Sequence, residues 1–271
     1  MVIQSAIIIT LIIIIISCLC SVDYGIEKFN ESFALCMLTR RPSDPWLELL
    51  MTFVDKYDVF VVMDEQADYS EFIQKYPKIT FVQISDDVCT NSGYTHSDIV
   101  FKPIVATDRA FYYFNRVNTS YEHIWFIEDD VMFKDKNVFV EMDKEYTTTD
   151  MLCPPMNLCA SPQSTTWPHI HMVGDTLQWP VGFGLVCCMR VSSRLMQKVD
   201  EFVVKHNRLN YKEFLFHTLA IHNNLHIIQA PELRTITWPT HVNPVELKRT
   251  YNQIHPPVKD FNEQIEIRNN A

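Results

Sequence analysis

Tyr121-Glu-His-Ile-Trp-Phe-Ile-Glu-Asp-Asp-Val-Met-Phe133 decides the reading of this chain. An apolar run, Ile124 to Ile127, ends abruptly in consecutive acids, Glu128, Asp129 and Asp130, before apolar residues resume. An unpaired buried carboxylate is very costly, so a buried strand does not continue through three of them. The strand stops and presents its acids to something cationic. Hard oxygen ligands at a strand's carboxyl end suit Mg²⁺ or Mn²⁺ holding a substrate phosphate, and in open α/β sheets ligands bind at that edge. Taken alone, the triplet also reads as a strand end followed by a solvated acidic turn.

Working outward, strand-like and helix-like segments alternate on the N-terminal side. Residues 32–39 are apolar and strand-like, and the turn at Arg40-Arg-Pro-Ser-Asp44 leads to Asp44-Pro45, a helix start with an N-cap and Pro at N1. A helical apolar face follows over 46–57. Strands are expected at 58–63 and 79–84, with a short helix at 69–76 between them and a long amphipathic helix at 97–117 feeding the acid-ended strand. Such alternation implies a parallel sheet with right-handed crossovers. The chain has only five glycines, and both the G-x-G-x-x-G loop and a Walker loop are missing. Beyond Asp150 the pattern loosens: 153–179 reads as a long irregular loop, a kind that is usually functional. A glycine-bearing strand at 181–189, helices at 192–206 and 211–223, and a strand at 225–229 complete the order.

The net charge of −10 argues against nucleic acid as a partner, because phosphate backbones call for clustered Lys and Arg. The N-terminus differs from all that follows: Ala6 to Cys20 is almost wholly apolar and no charge precedes Asp23. Residues 1–22 read as a membrane anchor, with a cleaved signal peptide as the alternative. Either sends the bulk of the chain into the endomembrane lumen or out of the cell. There disulfides are permitted, Cys153 and Cys159 being the local candidates, and the sequons at Asn30 and Asn118 fit.

In this order of elements the chain resembles the GT-A-type nucleotide-sugar glycosyltransferases. The Glu128-Asp129-Asp130 triplet is similar to their Asp-x-Asp metal motif, in the form found in type I N-acetylglucosaminyltransferases. The resemblance implies an α/β, Rossmann-like, mostly parallel sheet flanked by helices behind an N-terminal apolar anchor. It divides the chain into an anchor or signal (1–22), a short stem (23–31), a nucleotide-sugar half (32–150), an acceptor half of the same domain (151–250) and a polar tail (251–271). The implied function is metal-dependent transfer of a sugar from a nucleotide-sugar donor to a hydroxyl of a glycan, protein or lipid, in the Golgi or ER. A catalytically silent glycan-binding protein and a nucleotidyltransferase stay open as alternatives.

The resemblance also implies roles. Asp130 and Glu128 become ligands of Mn²⁺ (or Mg²⁺), completed by His241 near the end of the chain. Glu128 is also directed to the ribose, and Asp129, turned to the opposite face if the strand stays extended, to a water or sugar hydroxyl. Thr39 is expected at the base or ribose, Arg40 and Arg41 at the diphosphate, and Asp64, with Glu65 beside it, at the base or ribose. Lys102 and Arg109 are cations for the donor or simple helix-surface charges. An inverting transferase needs a general base, for which Glu213 and Asp175 compete. Trp167, Trp179 and Trp238 lie in loops, where sugar stacking and ordinary packing are both open.

Overall fold

The computed structural model describes residues 33–98, 102–133, 135–167, 169–236, 262 and 264–266. The segments expected as anchor (1–22) and stem (23–31), and His241 and Trp238, lie outside them. No helix among the described residues is long and apolar enough to cross a membrane.

Every residue of β1 (Phe33–Thr39) is buried, as befits a parallel strand covered on both faces. Alternate side chains feed two cores. Ala34, Cys36 and Leu38 join Phe60, Val62 and Phe126 on one face; Phe33, Leu35 and Met37 join Val59, Val61 and Trp125 on the other. β2 (Asp58–Met63) and β4 (His123–Glu128) flank β1 in parallel, and β3 (Ile79–Val82) extends the sheet beyond β2.

β8 (Cys188–Ser192) then runs antiparallel to β4, β5 (Met151–Cys153) antiparallel to β8, and β9 (Ile227–Gln229) parallel to β5. The order is β3-β2-β1-β4-β8-β5-β9, so one seven-stranded sheet crosses both halves of the chain. β6 (Met156–Cys159) and β7 (Val181–Gly184) form a separate antiparallel pair. The helices are α1 (Asp44–Met51), α2 (Ser70–Lys75), α3 (Asp86–Asn91), α4 (Ala106–Tyr112), α5 (Asn137–Glu145), α6 (Ser193–His206) and α7 (Lys212–His222). A mostly parallel central sheet flanked by helices is the architecture that the GT-A resemblance implies.

Several expectations are corrected. The helix expected over 97–117 is only α4, continued by a π turn over Tyr113–Val117. The N-cap of α1 is Ser43 rather than Asp44. The single strand expected at 181–189 is two strands in different sheets, and the irregular stretch from 153 holds β6. Cys153 and Cys159 are free, as are the other described cysteines. One lies on β5 in the main sheet and the other on β6 in the small one, where its Sγ is 2.9 Å from the Ser161 carbonyl.

Candidate active site

β1, β2 and β4 end at the same level. Thr39 pairs in register with Met63, and Leu38 with Glu128. The residues just past these ends therefore meet at one edge. There they line a cavity of about 220 Å³ with Thr39, Arg40, Asp64, Asp98, Glu128, Asp129 and Lys212 among its walls. A cavity of about 260 Å³ lies between α6 and α7, lined by Lys198, Lys205 and His222. It is the larger, but it sits off the strand ends and its acid, Glu201, is paired with Lys198, so chemistry rather than size places the site.

Each acid is positioned by a specific contact. The backbone N–H of Glu128 donates to the Cys187 carbonyl at 2.8 Å, and that of Asp129 to the Leu38 carbonyl at 3.1 Å. The Val131 N–H then closes a turn onto the Glu128 carbonyl at 3.0 Å. The extended conformation thus stops at Glu128. This is the correction to the alternation expected for the triplet: Glu128 and Asp129 both line the cavity, whereas the half-buried Asp130 does not.

The Thr39 hydroxyl donates to the Asp129 carboxylate. Burial raises the Asp129 carboxyl above its ordinary value; the Thr39 bond opposes this, and the charges of Glu128 and Asp64 reinforce it. The Asp64 carboxylate accepts the Ala106 N–H at the start of α4. Behind Asp64 lies Arg109, 1% exposed, which donates to the carbonyls of Met63 at 2.6 Å, Asp64 at 3.1 Å and Ile84 at 3.0 Å. Arg109 is not a surface charge and does not line the cavity; it ties the ends of β2 and β3 together.

The remaining expected residues divide. Arg40 is at the rim, 78% exposed, with its Nε 2.8 Å from Glu65. Arg41 and Lys102 are exposed and do not line the cavity. Asp175 is exposed in the loop after Gly174, and its neighbours Thr176 and Leu177 face the other cavity. Glu213 stands in the first turn of α7, its carboxylate accepting the Trp167 indole N–H at 2.8 Å. Burial raises its carboxyl above the ordinary range, with the Trp167 bond and Lys212 opposing and Glu128 adding to the rise. Trp167 also packs on Phe183, ring centroids 5.1 Å apart, and Trp179 is partly buried against the same core.

α7 sits close because β7 is glycine-bearing. A Cβ on Gly182 would lie 2.6 Å from Ile221 Cδ1 and 2.8 Å from His217 Cβ. The helix begins where the Lys212 N–H donates to the Ser97 carbonyl at 3.1 Å. Ser97 is in turn held by Asp108, whose Oδ1 accepts its N–H at 3.0 Å.

Sequence reasoning missed Lys212. Its ammonium is paired with the Glu128 carboxylate, the two side chains 16% and 27% exposed. Burial pulls the Lys212 pKa down, and Glu128 and then Asp98 more than reverse this, so the group stays charged above its ordinary value. A signal existed: a lysine in the first turn of a helix opposes the macrodipole unless an acid is waiting for it.

That pairing bears on the implied metal. Among the described residues no group of three or more His, Cys, Asp or Glu side chains is arranged to hold an ion. Glu128, expected as a ligand, already holds an ammonium. A dication placed ~4 Å from that ammonium would meet a repulsion of about 8 kcal/mol at an effective dielectric of ~20, which cancels the attraction of one carboxylate at the same distance. In this arrangement Glu128 does not fit a metal.

No family model matches the chain, and no curated protein matches its sequence. Among solved structures it is similar to a 4-diphosphocytidyl-2C-methyl-D-erythritol synthase from Anaerococcus prevotii, with a TM-score of 0.44 at 7% identity over 89% of this chain and 96% of that one. For mouse xyloside xylosyltransferase 1 the TM-score is 0.38 at 13% identity, over 74% and 85%. For the Mn/GDP form of core-mannan synthase A from Aspergillus fumigatus it is 0.37 at 10% identity, over 70% and 69%. Likenesses this weak carry no weight for chemistry, which rests on the site itself.

Proposed function

We propose that the protein is a glycosyltransferase that takes a sugar from a nucleotide-sugar donor and passes it to a hydroxyl acceptor. One observation carries this reading: Thr39, Asp64, Glu128, Asp129 and Lys212 meet at the carboxyl edge of a parallel sheet, with the half-buried Glu213 next to Lys212 in the first turn of α7. Carboxylates and a threonine hydroxyl at that edge suit ribose, base and sugar hydroxyls. A desolvated carboxylate at the start of α7 suits proton removal from the acceptor, since burial brings its pKa nearer to the working pH. The leaving nucleoside diphosphate needs a cation as its charge develops.

Calorimetric titration of the full-length chain with UDP and GDP, each with and without Mn²⁺, tests this. Saturable binding of one nucleotide, weakened in Asp64→Asn, is the expected result. A folded sample that binds neither overturns the reading. The same proposal places the domain in the endomembrane lumen behind an N-terminal anchor, on the apolar run from Ala6 to Cys20 alone. Protection from added protease in intact microsomes is the expected result there, and digestion of the whole chain the opposing one.

A further inference from the structure

The cavity at the sheet edge is crowded with like charge. Asp64, Asp98, Glu128 and Asp129 line it, and Lys212 is the cation among its walls that is not turned to the rim. Arg40, the other cation there, is mostly exposed and bonded to Glu65. A nucleoside diphosphate brings further negative charge, and like charges brought together in a partly desolvated site are strongly unfavourable. Something cationic has to be inside before the diphosphate arrives.

Lys212 is built for that place. Its side chain is 16% exposed, its backbone N–H is fixed to the Ser97 carbonyl at 3.1 Å, and it opens an eleven-residue helix whose positive end faces the same way. The helix cannot easily recede, because it is seated on the glycines of β7. A cation held in this way needs no reorganisation when charge develops. Its present partner, Glu128, is a single carboxylate of a group that a diphosphate can replace with more than one oxygen.

We propose that Lys212 is the donor-binding cation of this site: it exchanges Glu128 for the diphosphate, so that nucleotide binding needs no divalent metal on Glu128. Glu128, released, turns to the donor's hydroxyls. This rests on the transferase reading above, and it departs from the metal dependence that the GT-A resemblance implies.

Equilibrium binding of UDP and GDP to the full-length chain, in excess EDTA and in Mn²⁺, tests it, with uridine and guanosine as probes that lack phosphate. The wild type is expected to bind its nucleotide equally well in both media. Lys212→Met is expected to weaken that binding by about 10–100-fold, the loss of one charge-assisted hydrogen bond, while leaving the nucleoside's affinity unchanged. Glu128→Gln provides a second arm in which the ammonium stays but its competitor goes. It is expected to tighten nucleotide binding severalfold in EDTA, whereas a metal ligand at that position would lose Mn²⁺-dependent binding instead. Wild-type binding that appears only with Mn²⁺, together with weakening in Glu128→Gln, overturns the proposal and leaves the transferase reading standing. Absence of binding by the folded wild type in either medium overturns both.

Discussion

The indole N–H of Trp167 donates to the carboxylate of Glu213 at 2.8 Å, joining the irregular loop after β6 to the first turn of α7. A tryptophan that sequence alone leaves open between sugar stacking and packing is thus bonded to the acid proposed as base. The bond stabilises the charged carboxylate and so opposes the rise that burial causes.

Removing that donor should therefore move the base. In Trp167→Phe the Glu213 pKa rises, and the acid limb of the pH–rate profile shifts to higher pH. In Glu213→Gln turnover falls by about 10²–10⁴-fold, the usual worth of general-base catalysis, with nucleotide affinity unchanged. Rates of donor consumption across the pH range are the measurement. A profile unmoved by Trp167→Phe would take the base role away from Glu213.

The seat of α7 gives a second prediction. In Gly182→Ala the new methyl meets Ile221 Cδ1 at 2.6 Å and His217 Cβ at 2.8 Å, both on the helix that carries Lys212 and Glu213. Overpacking of this kind costs about 1–3 kcal/mol, and relief comes by pushing α7 outward. Urea denaturation should show the lost stability, and nucleotide titration a weakened affinity in the same variant. Stability loss with affinity intact would mean that α7 does not depend on this contact for its place.

How much of this was legible in the sequence depends on what each residue pairs with. β1, β2 and β4 could be read because apolar side chains feed cores on both faces, and such runs need no distant partner to be recognised. The helix before β4 was overextended because Asp108 and Arg109 look like surface charges. Both are buried, Asp108 capping local backbone N–H groups and Arg109 collecting carbonyls at two strand ends. The run from Val181 to Met189 hid a change of sheet, since apolar character is the same in either. Asp129 joined Glu128 in the cavity because a turn broke the alternation, and Lys212, although its place in a first helical turn was a signal, gave no partner because that partner lies 84 positions away.

Arg190 and Asp143 are a buried pair, 0% and 2% exposed, with Nη1 2.7 Å from Oδ1. Tyr57 and Trp125 complete the shell of Asp143, at 2.6 Å and 3.1 Å. Asp143→Ala leaves the guanidinium uncompensated in the core, at a cost of about 3–5 kcal/mol. Arg190→Met should cost a similar amount. The double variant should lose much less than the sum, because neither charge is then stranded. Urea titrations of the four proteins form the cycle, and additive losses would show that the pair is not coupled.

Acid should act through buried imidazoles. Burial pushes His123 and His217 down to about 4. His217 Nδ1 donates to the Glu213 carbonyl at 3.0 Å, which leaves its Nε2 to be protonated without an acceptor. The unfolded imidazole titrates near 6.5, so the stability each group contributes is complete above that pH and is lost as pH falls towards 4, about 3 kcal/mol apiece. Asp108 runs the other way: burial pushes its folded carboxyl up to about 6. The penalty of burying its charge is relieved as pH falls through that value, returning about 3 kcal/mol by the unfolded pKa near 3.9. Relative to wild type, His217→Gln should therefore lose about 3 kcal/mol less between pH 6.5 and 4, and Asp108→Asn should lose more. Other titrating groups cancel in these differences, so urea midpoints for the three proteins at the two pH values decide the matter. Parallel losses in all three would show that neither side chain controls acid stability.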